Sequence, residues 1–388
     1  MRVLYDYQIF HYQQFGGISK YFAELLNALH TSRSINIHLP LQWSTNKEVG
    51  RLLPFVGDVK RAPSFLQRTH IPFVKKIESV YCQLFPSQNQ EFIHQNLVLQ
   101  ELEDGKNDIF HPTYYEDYYI PYIGDTPLVV TVFDMIHELF PEHLPNENVT
   151  ALTRKKKSVT LKARKIIAIS ESTKNDLCRL YGINPKKVIV IPLANSLNCM
   201  RSSLDFRHAK LLPEKYLLYV GTRNGYKNYR FFLSSIAPLF ERYRDLFLVC
   251  TGVPFTRDEI KLHAASGLEK KVLHKEAHSD ATLSSLYMNA IALVFPSLYE
   301  GFGLPVLEAM HYGCPVIVSN TSSFPEVAGD AALYIDPRNA DSIRSSLSRI
   351  MESEKLRSEL SEKGRNQEKK YSWEKVAEQT LEVYKSVV

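Results

Sequence analysis

Glu300 and Glu308 stand eight residues apart, on either side of Gly301-Phe302-Gly303-Leu304-Pro305. A strand-like run ends at Phe295, and Pro305 sits where the first turn of a helix accepts proline. Glycines let a backbone come close to a ligand, and a helix start offers free N–H groups to a phosphate. A carboxylate that accepts from vicinal hydroxyls reads a ribose or another sugar diol. The glycine turn lies between the two glutamates, so they can hold different parts of one elongated ligand. A plain strand–turn–helix corner with a glutamate on the helix dipole is the competing reading. Two carboxylates around this turn favour the ligand.

A second stretch, Tyr219-Val220-Gly221-Thr222-Arg223-Asn224-Gly225-Tyr226-Lys227-Asn228, carries a basic pair. Arg223 offers a planar fork and Lys227 a point charge, which suits the negative charge gathering on a departing diphosphate. Such pairs are also common as solvated surface. Gly16 and Gly17 precede an apolar recurrence at Ile18, Phe22, Leu25, Leu26 and Leu29, which predicts a helix opened by a glycine turn. Asp134 and His137 follow the apolar run 128–132, and His111 follows Ile109-Phe110. Residues in such places are more often caps or core than ligands; Asp134 is the first choice among them. The serines and Glu326 of segment 319–330 read mainly as helix caps. The tyrosine-rich run 112–119 offers rings for sugar faces, or core filler.

The span from Glu300 to Glu308 resembles the E-x7-E motif of retaining glycosyltransferases of the GT-B fold, particularly the large family 4. The resemblance implies that Glu300 lies near a donor sugar and Glu308 binds the ribose of a nucleotide-diphosphate sugar. The backbone of Gly301, Phe302, Gly303 and Leu304 then meets sugar and diphosphate. Arg223 and Lys227 resemble the family's basic pair, and Gly16 and Gly17 its first-domain glycine loop. Many relatives carry a histidine just before the aspartate at the end of the strand 128–132. This sequence has Phe133 there, and Asp134, His137 or His111 are the candidates to take over. The family also implies retention of configuration. A hexose, preferably a GDP-linked mannose-type sugar, would pass to a glycan or lipid-linked glycan in bacterial polysaccharide or lipopolysaccharide assembly. A nucleotide-sugar epimerase or hydrolase could use the same scaffold. A non-catalytic nucleotide-sugar binder could too, though both glutamates are retained.

These residues need strands that end beside them. Short β-branched runs such as 165–169, 188–191, 216–220, 246–250, 292–295 and 315–318 alternate with helical patterns. Continuous apolar runs of this length predict parallel strands buried on both faces, in βαβ units. The expected class is α/β: two Rossmann-like, doubly wound domains facing across a cleft, with the ligand beyond the strands' carboxyl ends. The strand pattern breaks between Asn195 and Leu212. We therefore expect an acceptor-side domain over 1–200 and a nucleotide-sugar domain over 201–372. The resemblance implies that a final helix, 373–388, crosses back to the first domain. It is densest from Lys215 onward and weakest over 40–105.

The 388 residues carry 47 Lys+Arg against 42 Asp+Glu, a net +5, too mild for a nucleic-acid-binding face. The five cysteines, Cys82, Cys178, Cys199, Cys250 and Cys314, form no CxxC pair, which fits a reducing compartment. No Asp-x-Asp occurs, and we expect neither a metal site nor another cofactor. No signal peptide or membrane-length apolar run is seen, so a cytoplasmic protein is expected, with peripheral contact to anionic membrane as an option. The basic run 154–165 and the mixed basic and apolar stretch 51–76 are the segments to make that contact; a solvated helix face or an ordinary amphipathic helix explains each equally well.

Overall fold

The structure, a computed structural model, describes residues 1–31, 35–56, 60–61, 87–144, 148–197, 212–223, 225–277 and 279–388. Phe65, Leu66, Arg68, Ile71, Phe73, Lys75 and Lys76 of the mixed stretch lie outside these residues, as do Cys82, Cys199, Asn224 and 198–211.

The first half contains β1 (Arg2–Tyr5), β2 (Asn36–His38), β3 (Trp43–Ser44), β4 (Lys60–Arg61), β5 (Ile109–His111), β6 (Val129–Val132), β7 (Lys165–Ala168) and β8 (Val188–Val190). Strands β2-β1-β5 pair in parallel, as do β6-β7-β8, and a parallel bridge from Phe110 to Leu128 links the two groups. The short pair β3–β4 stands apart. The order therefore runs 2-1-5-6-7-8 and reverses between β1 and β5.

The second half contains β9 (Lys215–Tyr219), β10 (Leu246–Cys250), β11 (Val272–His274), β12 (Ala292–Phe295), β13 (Val316–Ser319) and β14 (Ala332–Ile335). They form one parallel sheet in the order β11-β10-β9-β12-β13-β14. This is the doubly wound arrangement, and its order reverses between β9 and β12. Every residue of β6, β12 and β13 is buried, as expected for strands covered by helices on both faces. The molecule is thus two Rossmann-like α/β halves, and each reversal opens a crevice at the carboxyl ends of its strands.

Local chemistry sets the helix ends. Ser170 caps the helix Glu171–Tyr181, and Gly182 ends it in the left-handed conformation. Thr256 and Glu259 form a capping box on the helix Arg257–Ala265. The last helix, Trp373–Lys385, packs against the helix Gly17–Thr31 of the first half. Its Tyr384 hydroxyl lies 2.6 Å from His111 Nδ1 and also bonds Tyr5, while Trp373 Nε1 donates to the Asn195 carbonyl at 3.2 Å. Among the described residues no helix is long and apolar enough to cross a membrane.

Candidate active site

The reversal between β9 and β12 gathers the residues singled out by type and spacing. Glu300 follows β12, and its Oε1 pairs with Lys227 Nζ of the β9 loop at 2.5 Å, both side chains largely enclosed. The Lys227 ammonium also lies over the Phe295 ring. Serines hold the glutamate turn from below. Ser322 Oγ accepts from Glu300 N at 3.1 Å, and Ser323 Oγ bonds the Glu300 and Phe302 carbonyls at 2.9 and 3.0 Å. Gly303, at φ 94°, precedes the helix Leu304–His311 with no side-chain cap on its first-turn amides. A left-handed residue is needed there, and glycine adopts it without strain.

Glu308 sits on that helix, half-buried, and accepts from the Tyr287 hydroxyl at 2.8 Å. Burial raises its carboxyl above the usual range, against the pull of Lys20 from the first half.

Arg223 is placed differently from Lys227. Its guanidinium is fully enclosed and pairs with Glu259 at 2.7 Å. It also donates to the carbonyls of Thr251 and Val253 at 3.2 and 2.6 Å, and stacks on Phe255. It braces the β9 loop against the β10 loop. A cavity of about 640 Å³ opens beside it, lined by Glu142, His143, Arg223, Asn228, Arg230 and Glu259.

The first half meets this site across the cleft. A Cβ added to Gly301 would lie 1.9 Å from the Phe133 carbonyl oxygen, so only glycine allows this approach. Asp134 faces the same point, its Cβ 3.0 Å from that position. One Asp134 oxygen accepts from Ile136 N at 3.0 Å, and His137 Nδ1 lies 4.0 Å away. Phe133 turns its ring inward, edge-on to Tyr21 and Phe22 at 5.1 and 6.0 Å between centroids. Such pairs add about 0.5–1.5 kcal/mol each to burial. At the position where many relatives carry histidine, the side chain is therefore core, and the carbonyl is what faces Gly301. His111 is fully enclosed, bonded to Tyr384 and to Thr131 Oγ1 at 2.9 Å, and burial lowers it to about 3.

Further cross-cleft contacts hold the halves together. Tyr299 donates to Asp176 at 3.0 Å. Glu326 accepts from Glu171 N and Ser172 N at 2.8 and 3.1 Å. The expectation that Glu326 caps a helix holds, but the helix belongs to the other half.

The β1/β5 reversal is built otherwise. Buried Asp6 accepts from Thr113 N and Oγ1, both at 2.8 Å, and from Gln8 Nε2 at 2.5 Å; burial lifts its carboxyl to about 6. Gln8 Oε1 in turn accepts from Glu116 N at 2.8 Å. Gly16 and Gly17 lie close by in sequence, Gly17 exposed at the start of the helix Gly17–Thr31. The tyrosine run divides: Tyr115 and Tyr119 are core, while Tyr114 is half-buried and lies edge-on to Tyr12 at 6.4 Å. Tyr12 is exposed and donates to Glu91 at 2.5 Å.

Lys20 and Tyr287 escaped the sequence reading; Ser322 and Ser323, read there mainly as helix caps, instead hold the glutamate turn, and Lys156, read as part of a solvated or membrane-facing basic run, is buried. Lys20 has a sequence signal, three residues after the glycine pair. The others act through partners distant in sequence. The basic run 154–165 is also less uniform than its composition implies: Lys156 is wholly buried on the helix Val149–Lys162 and paired with Glu138 at 3.0 Å.

Two family models match. The one described as "Glycosyltransferase Family 4" covers residues 15–194, and "Glycosyl transferases group 1" covers residues 200–367. The chain is 29% identical over 306 residues to the O-antigen chain mannosyltransferase B of Escherichia coli, covering 76% of this chain and 78% of that protein. It is 30% identical over 227 residues to the O-antigen chain mannosyltransferase RfbU of Salmonella typhimurium, covering 58% of this chain and 62%, under two thirds, of the relative. Among solved structures, Anabaena HepE in complex with UDP and glucose superposes with a TM-score of 0.71 at 16% identity, both chains fully covered. WaaG, a glycosyltransferase involved in lipopolysaccharide biosynthesis, gives 0.64 at 16% identity, with 99% of each chain covered.

Proposed function

Because the chain belongs to the family 4 glycosyltransferases of the GT-B fold, we propose that it transfers a hexose, with retention, from a nucleotide-diphosphate sugar to a glycan or lipid-linked glycan. A GDP-linked mannose-type donor is preferred, because the relatives include O-antigen chain mannosyltransferases. The observation that carries the reading is the Lys227–Glu300 pair beside the uncapped helix start at Gly303.

In this reading residues 201–372 hold the donor. Glu308 accepts from the ribose hydroxyls, the amides after Gly303 meet the diphosphate, and Glu300 meets the sugar. Residues 1–200, with 373–388, hold the acceptor at the β1/β5 crevice, where Tyr12 and Tyr114 offer rings. The acceptor oxygen bonds to the anomeric carbon as the bond from that carbon to the β-phosphate oxygen breaks. The acceptor proton passes to the departing phosphate on the same face. Lys227 exchanges Glu300 for the charge growing on the diphosphate, and Arg223 keeps the loop beneath it rigid. No metal or other cofactor takes part. In this reading the protein works in the cytoplasm, with peripheral contact to the inner face of the membrane as an option.

A panel of nucleotide sugars in a thermal-shift assay, followed by transfer to mannose-terminated glycans, tests this. A GDP-hexose should give the largest stabilisation, by mass action. Donor cleavage at full rate without acceptor would identify a hydrolase or epimerase; binding without turnover would identify a binding protein.

A further inference from the structure

We infer that Lys156 is a positioning residue for the proposed sugar site at Glu300: its buried ammonium sets the height of the 133–138 segment, whose Phe133 carbonyl and Asp134 stand against Gly301 beside that site. The inference deepens the proposed transferase reading and depends on it.

Lys156 projects from the helix Val149–Lys162 with no exposed side-chain surface. Its Nζ donates to the Asp134 carbonyl at 3.1 Å and to Glu138 Oε2 at 3.0 Å, and lies 5.3 Å from the centre of the Tyr115 ring. An ammonium has three protons and no acceptor, so two oxygens and a ring face satisfy it. The same partners pin the rest of the segment. The Tyr115 hydroxyl accepts from Phe133 N at 3.1 Å. The Tyr181 hydroxyl, on the helix Glu171–Tyr181, donates to Glu138 Oε1. Phe133 N, the Asp134 carbonyl and the Glu138 carboxylate are thus fixed from behind. In front, the Phe133 carbonyl and Asp134 Cβ stand against Gly301, beside Glu300.

Stability alone gives little reason for an ion here. A buried ion pair is often no better than a well-packed apolar pair of the same size. What an apolar pair cannot do is hold a carbonyl at a fixed point. The Asp134 carbonyl belongs to the peptide that joins Asp134 to Met135, next to the residues facing Gly301. If it shifts, those residues shift with it. A displacement near 1 Å costs on the order of 100-fold in rate. The nucleotide half of the donor, held by the second half of the chain, would not register the change.

The test uses the full-length protein, the nucleotide sugar selected by the panel above, and its free nucleoside diphosphate as a binding probe. Lys156→Met should lower kcat about 100-fold while affinity for the free nucleoside diphosphate stays at the wild-type value. Glu138→Gln, which keeps hydrogen bonding and removes the charge, should show a smaller kcat loss, about 10-fold. The double variant Lys156→Met/Glu138→Leu should regain melting temperature without regaining kcat. Wild-type kcat in Lys156→Met overturns the inference, and so does recovery of both quantities in the double variant. If Lys156→Met does not fold, Glu138→Gln decides: wild-type kcat in that variant overturns it. Glu300→Ala in the same assay tests the underlying reading separately. Full activity there removes the transferase reading whatever the Lys156 variants do.

Discussion

The two crevices are built from opposite materials. At β9/β12 the charges face the ligand space: Glu300 against Lys227, and Glu308 half-open on an uncapped helix. At β1/β5 the central carboxylate, Asp6, is turned inward and spent on Thr113 and Gln8, leaving rings at the rim. In the proposed reading the difference follows from what each crevice holds, a diphosphate in one and a glycan in the other. A diphosphate changes charge during the reaction and needs groups that respond. A neutral glycan presents fixed faces and needs a shaped, rigid surface.

Breaking the charged crevice should have the largest effect. Glu300→Ala or Lys227→Ala should lower kcat by roughly 1,000-fold or more, as removal of transition-state electrostatics does elsewhere, with the melting temperature near wild type; initial rates and thermal melts on the same samples check this. Removing the approach between halves comes next. Gly301→Ala places a methyl 1.9 Å from the Phe133 carbonyl, so closure should fail and kcat should fall about 100-fold. Small-angle scattering should show a more extended particle.

At the ringed crevice the effect should be milder and confined to the acceptor. Tyr12→Ala should raise the acceptor KM by about 10-fold, the loss of roughly 1.4 kcal/mol of ring contact, and leave the donor KM alone. A change in donor KM instead would merge the two crevices into one. The last effect leaves transfer aside and concerns stability against pH. Histidine ordinarily titrates near 6.5, and burial holds His111 near 3. The unfolded chain binds that proton first, so the stability tied to neutral His111 is complete above 6.5 and is lost as pH falls toward 3, at up to about 1.4 kcal/mol per unit. Asp6 runs the other way: its carboxyl is raised from 3.8 to about 6, so its contribution is complete below 3.8 and lost as pH rises through 6. His111→Gln should therefore flatten the acid loss of stability in urea melts between pH 6 and 4.

The same contrast governs how much the sequence discloses. The glutamate turn is local: Glu300, Gly301, Gly303 and Glu308 lie within nine residues, and strand, turn and helix follow from their types. The alternating apolar runs disclose the parallel sheets for the same reason. Arg223 reads as a phosphate ligand because its captor, Glu259, lies 36 residues away in the first turn of the helix Arg257–Ala265. Asp6 and Thr113 are 107 residues apart, and Lys156 is one basic residue in a run of four until the fold buries it. Phe133 was legible as a departure but not in its consequence, because the ring's destination depends on Tyr21 and Phe22.

Glu326 places one half's carboxylate on the first two amides of a helix in the other. Those amides have no partner within their own helix, so Glu326 is what holds their protons while the halves are closed, and the bonds are lost each time the halves part. Glu171 and Ser172 therefore carry a built-in clock for the cleft: their hydrogen-exchange rates should follow the frequency of opening, slowing when a donor holds the halves shut and quickening when Glu326 is shortened to alanine.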